Sequence, residues 1–285
     1  MKVISVDIAA RTDIGKRRES NEDAFLVFRM GRFLERIQSS ISEAELGSHY
    51  EESGYVMAVA DGMGGAAAGE VASREALVEA FRLILRSPKW LLTLNDPTTR
   101  ESEIQAFFDR TKIYVAGMHA ALLRHGQSDP SKAGMGTTLT VAYSLGLDLF
   151  VVHVGDSRAY LYRDGTLRHM TRDHTVAQTL ADSGMIAQEG VAAHPQRHVL
   201  TQVVGGHGGW LRCDTHHQRL KPGDSVIVCT DGLTGPVPDE DIARVLGGAA
   251  SSDSACASLV GLALDRGAGD NVTVIVARYS GESSE

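Results

Sequence analysis

Short apolar runs punctuate the chain. Residues 24–28, 55–60, 138–143, 149–154, 226–229 and 272–277 are β-branched or aromatic and flanked by polar or glycine-bearing stretches, which predicts strands. Residues 159–163 and 166–170 flank Asp164-Gly165 and predict a hairpin with a tight turn. Residues 144–148 form another short link, and links this short join antiparallel neighbours. A second periodicity gives three helical stripes. They run Val71, Leu77, Phe81, Ile84, Leu85; then Ile104, Phe107, Phe108, Thr111, Val115, Met118, Leu122; then Cys256, Leu259, Val260, Ala263, Leu264. Helices laid on stacked antiparallel sheets would bury all of these faces, an α+β arrangement. Two segments look peripheral: a polar, acidic stretch at about 31–54, and a His-, Gly- and Gln-rich flap at about 172–209 with a helix at 176–183. Residues 281–285 read as a frayed tail.

Composition narrows the class. The chain has 285 residues, 43% hydrophobic and 22% charged, with 28 Lys+Arg against 36 Asp+Glu and a formal charge of -8. Those proportions are globular and exclude wholesale disorder or coiled coil. The length suffices for a large core without disulfides. The acid excess argues against nucleic acid as a general partner, since that needs a basic face. Cys213, Cys229 and Cys256 are odd in number and lack paired spacing, so neither a disulfide framework nor a zinc site is expected. The first ten residues lack the pattern of a signal peptide. No run approaches the roughly 18 apolar residues of a membrane span. The expected compartment is a reducing cytoplasm.

The aspartates supply the candidate chemistry. Asp61, Asp156 and Asp231 each follow a predicted strand, whereas Asp23 and Asp270 each precede one. In an antiparallel sheet the end of one strand lies beside the start of its neighbour, so all five carboxylates can converge on one edge. Such a cluster repels itself unless a cation sits within it. Hard oxygen donors suit Mg²⁺ or Mn²⁺, and the lack of a paired His/Cys set disfavours zinc. Gly62, Gly64 and Gly65 follow Asp61, and Gly232 follows Asp231; glycine admits close approach of backbone to an ion. Each Asp-Gly taken alone reads more readily as an ordinary turn; the five positions together do not.

Six segments, in order, carry a family resemblance. They are Thr12-Asp13-Ile14-Gly15-Lys16-Arg17-Arg18-Glu19-Ser20-Asn21-Glu22-Asp23, Ala60-Asp61-Gly62-Met63-Gly64-Gly65, Gly136-Thr137-Thr138, Gly155-Asp156-Ser157-Arg158, Thr230-Asp231-Gly232-Leu233 and Gly269-Asp270-Asn271-Val272-Thr273. Together they resemble the motifs of bacterial type 2C metal-dependent Ser/Thr protein phosphatases, over about residues 4–279. The resemblance implies a single catalytic domain over 1–280, folded as a four-layer αββα sandwich. It also implies hydrolysis of phosphoserine and phosphothreonine in proteins by a water between two Mn²⁺ or Mg²⁺ ions, opposing a Ser/Thr kinase. By the same resemblance Asp23, Asp61, Asp231 and Asp270 hold the two ions, with Asp61 bridging and the Gly62 carbonyl adding a ligand. Glu22 acts in the outer shell, Asp156 helps Asp231 hold a weaker third ion, and Arg18 grips the phosphate. Eukaryotic relatives have a His, thought to be the general acid, where this chain has Met63; the proton donor to the leaving group is therefore unassigned.

Two rival readings differ in class. Gly62-Met63-Gly64-Gly65-Ala66-Ala67 is close to a dinucleotide-binding fingerprint. Against it, Asp61 would stand where a pyrophosphate must approach, and Ser87-Pro88-Lys89-Trp90 follows the helix in place of a second parallel strand. A pseudophosphatase that binds phosphoproteins or a kinase without hydrolysis is the other rival; the full set of principal acidic ligands counts against it. Among the histidines, His153 reads as a packed core residue, His216 and His217 as structural, and His174, His194, His198 and His207 as surface or substrate-side groups.

Overall fold

A computed structural model describes residues 5–46, 49–64, 68–87 and 92–281. Gly65 to Ala67, Pro88 to Trp90 and the tail beyond residue 281 lie outside the described residues. In chain order the elements are β1 (Ser5–Asp13), β2 (Asp23–Glu35), α1 (Glu43–Leu46), β3 (His49–Met63), α2 (Ala68–Arg86), α3 (Arg100–Ser128), β4 (Gly136–Thr137), β5 (Leu139–Leu145) and β6 (Asp148–Val154). There follow β7 (Arg158–Arg163), β8 (Thr166–His169), α4 (Val176–Asp182), β9 (Val204–Gly205), β10 (Asp214–Arg219), β11 (Ser225–Cys229), α5 (Asp231–Thr234), α6 (Asp239–Gly248), α7 (Ser252–Asp265) and β12 (Val272–Ser280).

One sheet has the order β1-β12-β11-β7-β8 and the other β10-β6-β5-β3-β4-β9, with β2 paired to β3. The ladders are antiparallel, as the short links require. Met57, Val59 and Val151 of one sheet meet Leu161, Val228 and Ile275 of the other, forming a dry middle layer. On one outer face Ala72, Ala76 and Leu122 of α2 and α3 cover Ala58, Leu139 and Val152. On the other, Ile242 and Leu259 of α6 and α7 cover Ile227 and Val274. Four layers result, αββα, because each sheet is apolar on both faces and must be covered twice. Phe150 anchors a further cluster, its ring 4.9 Å from Phe107 and 5.9 Å from Phe108 and Tyr143.

The predicted strands and helices all form, most with longer bounds, though β5 starts one residue later and β8 and α4 end one residue earlier than expected. The stretch at 31–54, expected as a polar insertion, is strand at both ends, over 31–35 and 49–54. Pairing of β2 with β3 continues as far as Glu35↔His49 and is turned by α1. Phe33 and Leu34 are exposed there, so burial imposes no alternation for the sequence to display. Four strands escaped prediction: β1, whose Val6, Ile8 and Ala10 pack on the middle layer, the two-residue strands β4 and β9, and β10, an edge strand of polar residues. The flap at 172–209 proves narrower than expected. A Thr175↔Leu200 bridge closes its base, and β9 already belongs to a sheet.

Candidate metal centre

Register brings the acidic residues together. Asp23, at the start of β2, lies opposite Asp61, near the end of β3. Asp231 begins α5, directly after β11, and Asp270 stands just ahead of β12, the neighbour of β11. Asp61, Asp156, Asp231 and Asp270 line one open groove; Arg18, Glu22, Gly62 and Met63 line it too. Asp23 is buried behind it. All five carboxylates therefore meet, together with every other site residue suggested by the sequence.

The network around them is built to hold carboxylates in place. The Asp23 Oδ2 accepts hydrogen bonds from Thr230 Oγ1 at 2.8 Å and Thr273 Oγ1 at 2.7 Å. The Asp61 backbone is fixed at both ends: its N–H donates to Thr138 Oγ1 at 2.9 Å, and its carbonyl accepts from Thr137 Oγ1 at 2.9 Å. Asn271 ties the loop carrying Arg18 to β12: its Nδ2 donates to the carbonyls of Ile14 and Ser20, and its Oδ1 accepts from the Glu22 N–H at 2.8 Å. Gly62 is needed for space. A Cβ there would stand 2.0 Å from the Gly69 carbonyl oxygen and 2.8 Å from that of Glu22.

Charge is far less well satisfied than geometry. Burial, only partly offset by the two threonine hydroxyls, lifts the Asp23 carboxyl from 3.8 to about 7, with Asp231 and Asp270 adding repulsion. Burial likewise holds Asp61 well above the ordinary range, followed by repulsion from Asp23, Asp231, Asp156 and Asp270. Asp156 is raised by burial and then by Asp231 and Asp173, and Glu22 chiefly by burial. Among the described residues, the Oδ1 atoms of both Asp23 and Asp231 are buried without a hydrogen-bond partner. Arg18 touches the set directly, its guanidinium donating to Asp270 Oδ2 at 2.7 Å, which raises the arginine's own pKa, and Arg158 acts on Asp156 without a hydrogen bond to it. Arg158 is already paired with Asp173, and the single contact of Arg18 cannot neutralise five carboxylates. Orphaned, hard oxygen donors in an excess of negative charge fit Mg²⁺ or Mn²⁺.

Sequence reasoning left several contributors without a role. Thr138, Asn271 and Thr273 lie inside the motifs and were passed over because their work is to hold other residues. His198, from the flap, lies with its Nδ1 3.5 Å from Asp231 Oδ2. Asp156, His198 and Asp231 offer ligand atoms within 4.8 Å of one another. No local pattern distinguishes His198 from the other flap histidines. His153 is a core residue as predicted, bonded to Thr140 Oγ1 and the Arg172 carbonyl; His217 stacks on Phe150 and meets Asp148. Among the described residues no helix is long and apolar enough to cross a membrane.

An αββα sandwich with a carboxylate-lined groove at one end of its sheets defines a class of metal-binding proteins, and comparison with known proteins gives the family. The family model described as Protein phosphatase 2C matches residues 44–251, and the chain belongs to that family. The Serine/threonine protein phosphatase PstP of Mycobacterium tuberculosis is 36% identical over 269 residues, which cover 94% of this chain. The match spans only 44% of that relative's length. The serine/threonine phosphatase of S. agalactiae superposes with a TM-score of 0.77 at 30% identity, covering 96% of this chain and 99% of that one. The catalytic domain of PstP, solved in complex with two manganese ions, gives a TM-score of 0.71 at 31% identity over 98% of this chain and all of that one.

Proposed function

We propose that this chain is a protein-serine/threonine phosphatase that hydrolyses phosphoserine and phosphothreonine with divalent metal, within one catalytic domain over about 1–280. The observation that carries the reading is the pair of unpartnered, buried oxygens on Asp23 and Asp231 within a set of carboxylates that cannot all ionise without cations. Asp23, Asp61, Asp231 and Asp270, with the Gly62 carbonyl, would hold two Mn²⁺ or Mg²⁺ ions; Asp156 with Asp231 would hold a third, and Glu22 would act through water. When bound, such ions supply Lewis-acid stabilisation of the phosphoryl oxygens and lower the pKa of water near phosphorus.

The chain's own residues do the rest. Arg18 is anchored at the groove by one hydrogen bond to Asp270, which leaves most of its fork of N–H donors for phosphate oxygens. The groove is open, so a phosphorylated side chain can enter while its peptide stays outside. Met63 lines the groove but carries no exchangeable proton, so the leaving alkoxide takes its proton from elsewhere. Phosphoproteins are the implied substrates, a Ser/Thr kinase and its targets among them. The test is phosphate release from a phosphothreonine peptide with Mn²⁺, with and without chelator. Release is expected only with the metal; release that survives complete metal removal would refute the reading.

A further inference from the structure

His174, expected as a surface or substrate-side group, instead opens the flap from a buried position, with 6% exposure. All four of its polar atoms are engaged, with three different partners. Its backbone N–H donates to the Gly155 carbonyl at 2.7 Å, and its carbonyl accepts from the Thr201 N–H at 2.8 Å. Its Nδ1 accepts from the Gly155 N–H at 3.2 Å. That bond requires an unprotonated Nδ1, so the neutral ring carries its proton on Nε2, which faces Asp214 Oδ2 at 3.1 Å. Asp214 is itself gripped by Arg212 and sits on β10.

Gly155 immediately precedes Asp156. It adopts φ +110°, and a Cβ there would stand 2.6 Å from the Thr138 side chain, so this turn has no freedom to shift toward β5. His174 clamps the same turn from the opposite side, through both the N–H and the C=O of Gly155. The Thr201 contact, beside the Thr175↔Leu200 bridge, closes the other end of the flap on the same residue. One residue thus joins these segments: its backbone holds the Gly155 carbonyl and Thr201, at the two ends of the flap bearing His198, and its ring ties the turn bearing Asp156 to β10. An Arg158–Asp173 pair runs beside it, with hydrogen bonds of 2.9 and 2.7 Å, but joins the two chain segments through side chains only.

We infer that His174 is a positioning residue, which locks the Asp156 turn to the base of the flap so that Asp156 and His198 keep one relative placement at the groove. The inference rests on the metal-dependent reading for its consequence at Asp156, but not for the flap itself. Asparagine at 174 can place its Oδ1 near the position of Nδ1 and accept from the Gly155 N–H. Glutamine reaches toward Asp214 and loses that acceptor.

The experiment compares wild type, His174→Ala, His174→Asn and His174→Gln by amide hydrogen exchange on the metal-free protein. Peptides spanning 175–200 report the flap, and a peptide from β11 reports the core. His174→Ala and His174→Gln are expected to speed exchange across 175–200 by about tenfold or more, with the core unchanged, whereas His174→Asn stays near wild type. Mn²⁺ titration by calorimetry is expected to show the weakest site losing about tenfold in affinity in the same two variants, with rescue by asparagine. Flap protection that survives in His174→Ala, or that is lost equally in the Asn and Gln variants, overturns the inference. If the alanine variant does not fold, the Asn/Gln pair decides alone. A wild type inactive with Mn²⁺ would sink the phosphatase reading and leave the exchange result standing.

Discussion

Stripping metal from this protein should destabilise it more as pH rises, and the size of the effect follows from Asp23. That carboxyl has a folded pKa of about 7 against an ordinary 3.8. A carboxyl whose folded value lies above its unfolded value binds its proton more tightly when folded. Its stabilising contribution is present in full below 3.8 and is lost as pH rises through 7. At 1.36 kcal/mol per pH unit the full loss is about 4 kcal/mol, of which about 3 kcal/mol accrues between roughly pH 5 and pH 8. For a chain of this size that is roughly 5–10 °C in Tm. His153 acts in the opposite direction. Burial lowers it from 6.5 to about 4, so its contribution is full above 6.5 and is lost as pH falls toward 4. It is the same in loaded and stripped protein and cancels in the difference. The assay is therefore the gap in Tm between Mn²⁺-loaded and chelated samples across that pH range. The gap should widen with pH, since bound cations favour ionised carboxylates, and Asp23→Asn should reduce its slope. A gap independent of pH, or a slope unaffected by Asp23→Asn, would refute the charge argument.

Other variants test individual residues. Asp231→Asn should reduce phosphopeptide turnover to background while the Tm of the metal-free protein holds or rises, because it removes a charge and no core volume; unchanged kcat at saturating Mn²⁺ would exclude Asp231 as a ligand. Arg18→Ala should raise the phosphopeptide KM by about tenfold to a hundredfold, the worth of a charge-assisted hydrogen bond, with a smaller change in Mn²⁺ affinity measured by calorimetry. The reverse pattern would show that its contact with Asp270 matters more than phosphate. Gly62→Ala should cost about 1–3 kcal/mol or more, read by denaturant melts, because its Cβ would lie 2.0 Å from a backbone oxygen. Native stability in that variant would show that β3 and α2 can separate freely.

The architecture confers both the acidity and the strain of this site. The groove opens at one end of the two stacked sheets, where residues at strand ends have their backbone fixed by pairing. Threonines of the facing sheet then hold the carboxylate: Thr273 of β12 and Thr230, just after β11, on Asp23, with Thr12 bonded to Thr273. Without ions, this exactness of placement makes the repulsion worse. A loosely held cluster would relieve it by rotating into water, and the buried Asp23, tied to two threonines, has no such room.

Periodicity and turn chemistry, both local, were legible along the chain. Alternating or continuous apolar runs gave the inner strands, helical stripes gave α2, α3 and α7, and Asp164-Gly165 marked the hairpin of β7 and β8. The aspartates flanking strands pointed to one edge, and motif order carried the family resemblance. Elements without such a signal escaped: the polar edge strand β10, and the exposed ribbon of β2 and β3 beyond Met30, where no burial enforces a pattern. Only the tertiary structure decided that Asp23 faces Asp61, that Arg18 reaches Asp270 across 252 positions, and that His198 and not another flap histidine reaches Asp231. Those are matters of register and layer packing between distant segments. A single chain's local pattern states which residues prefer burial or a turn, but not which distant partners they meet there.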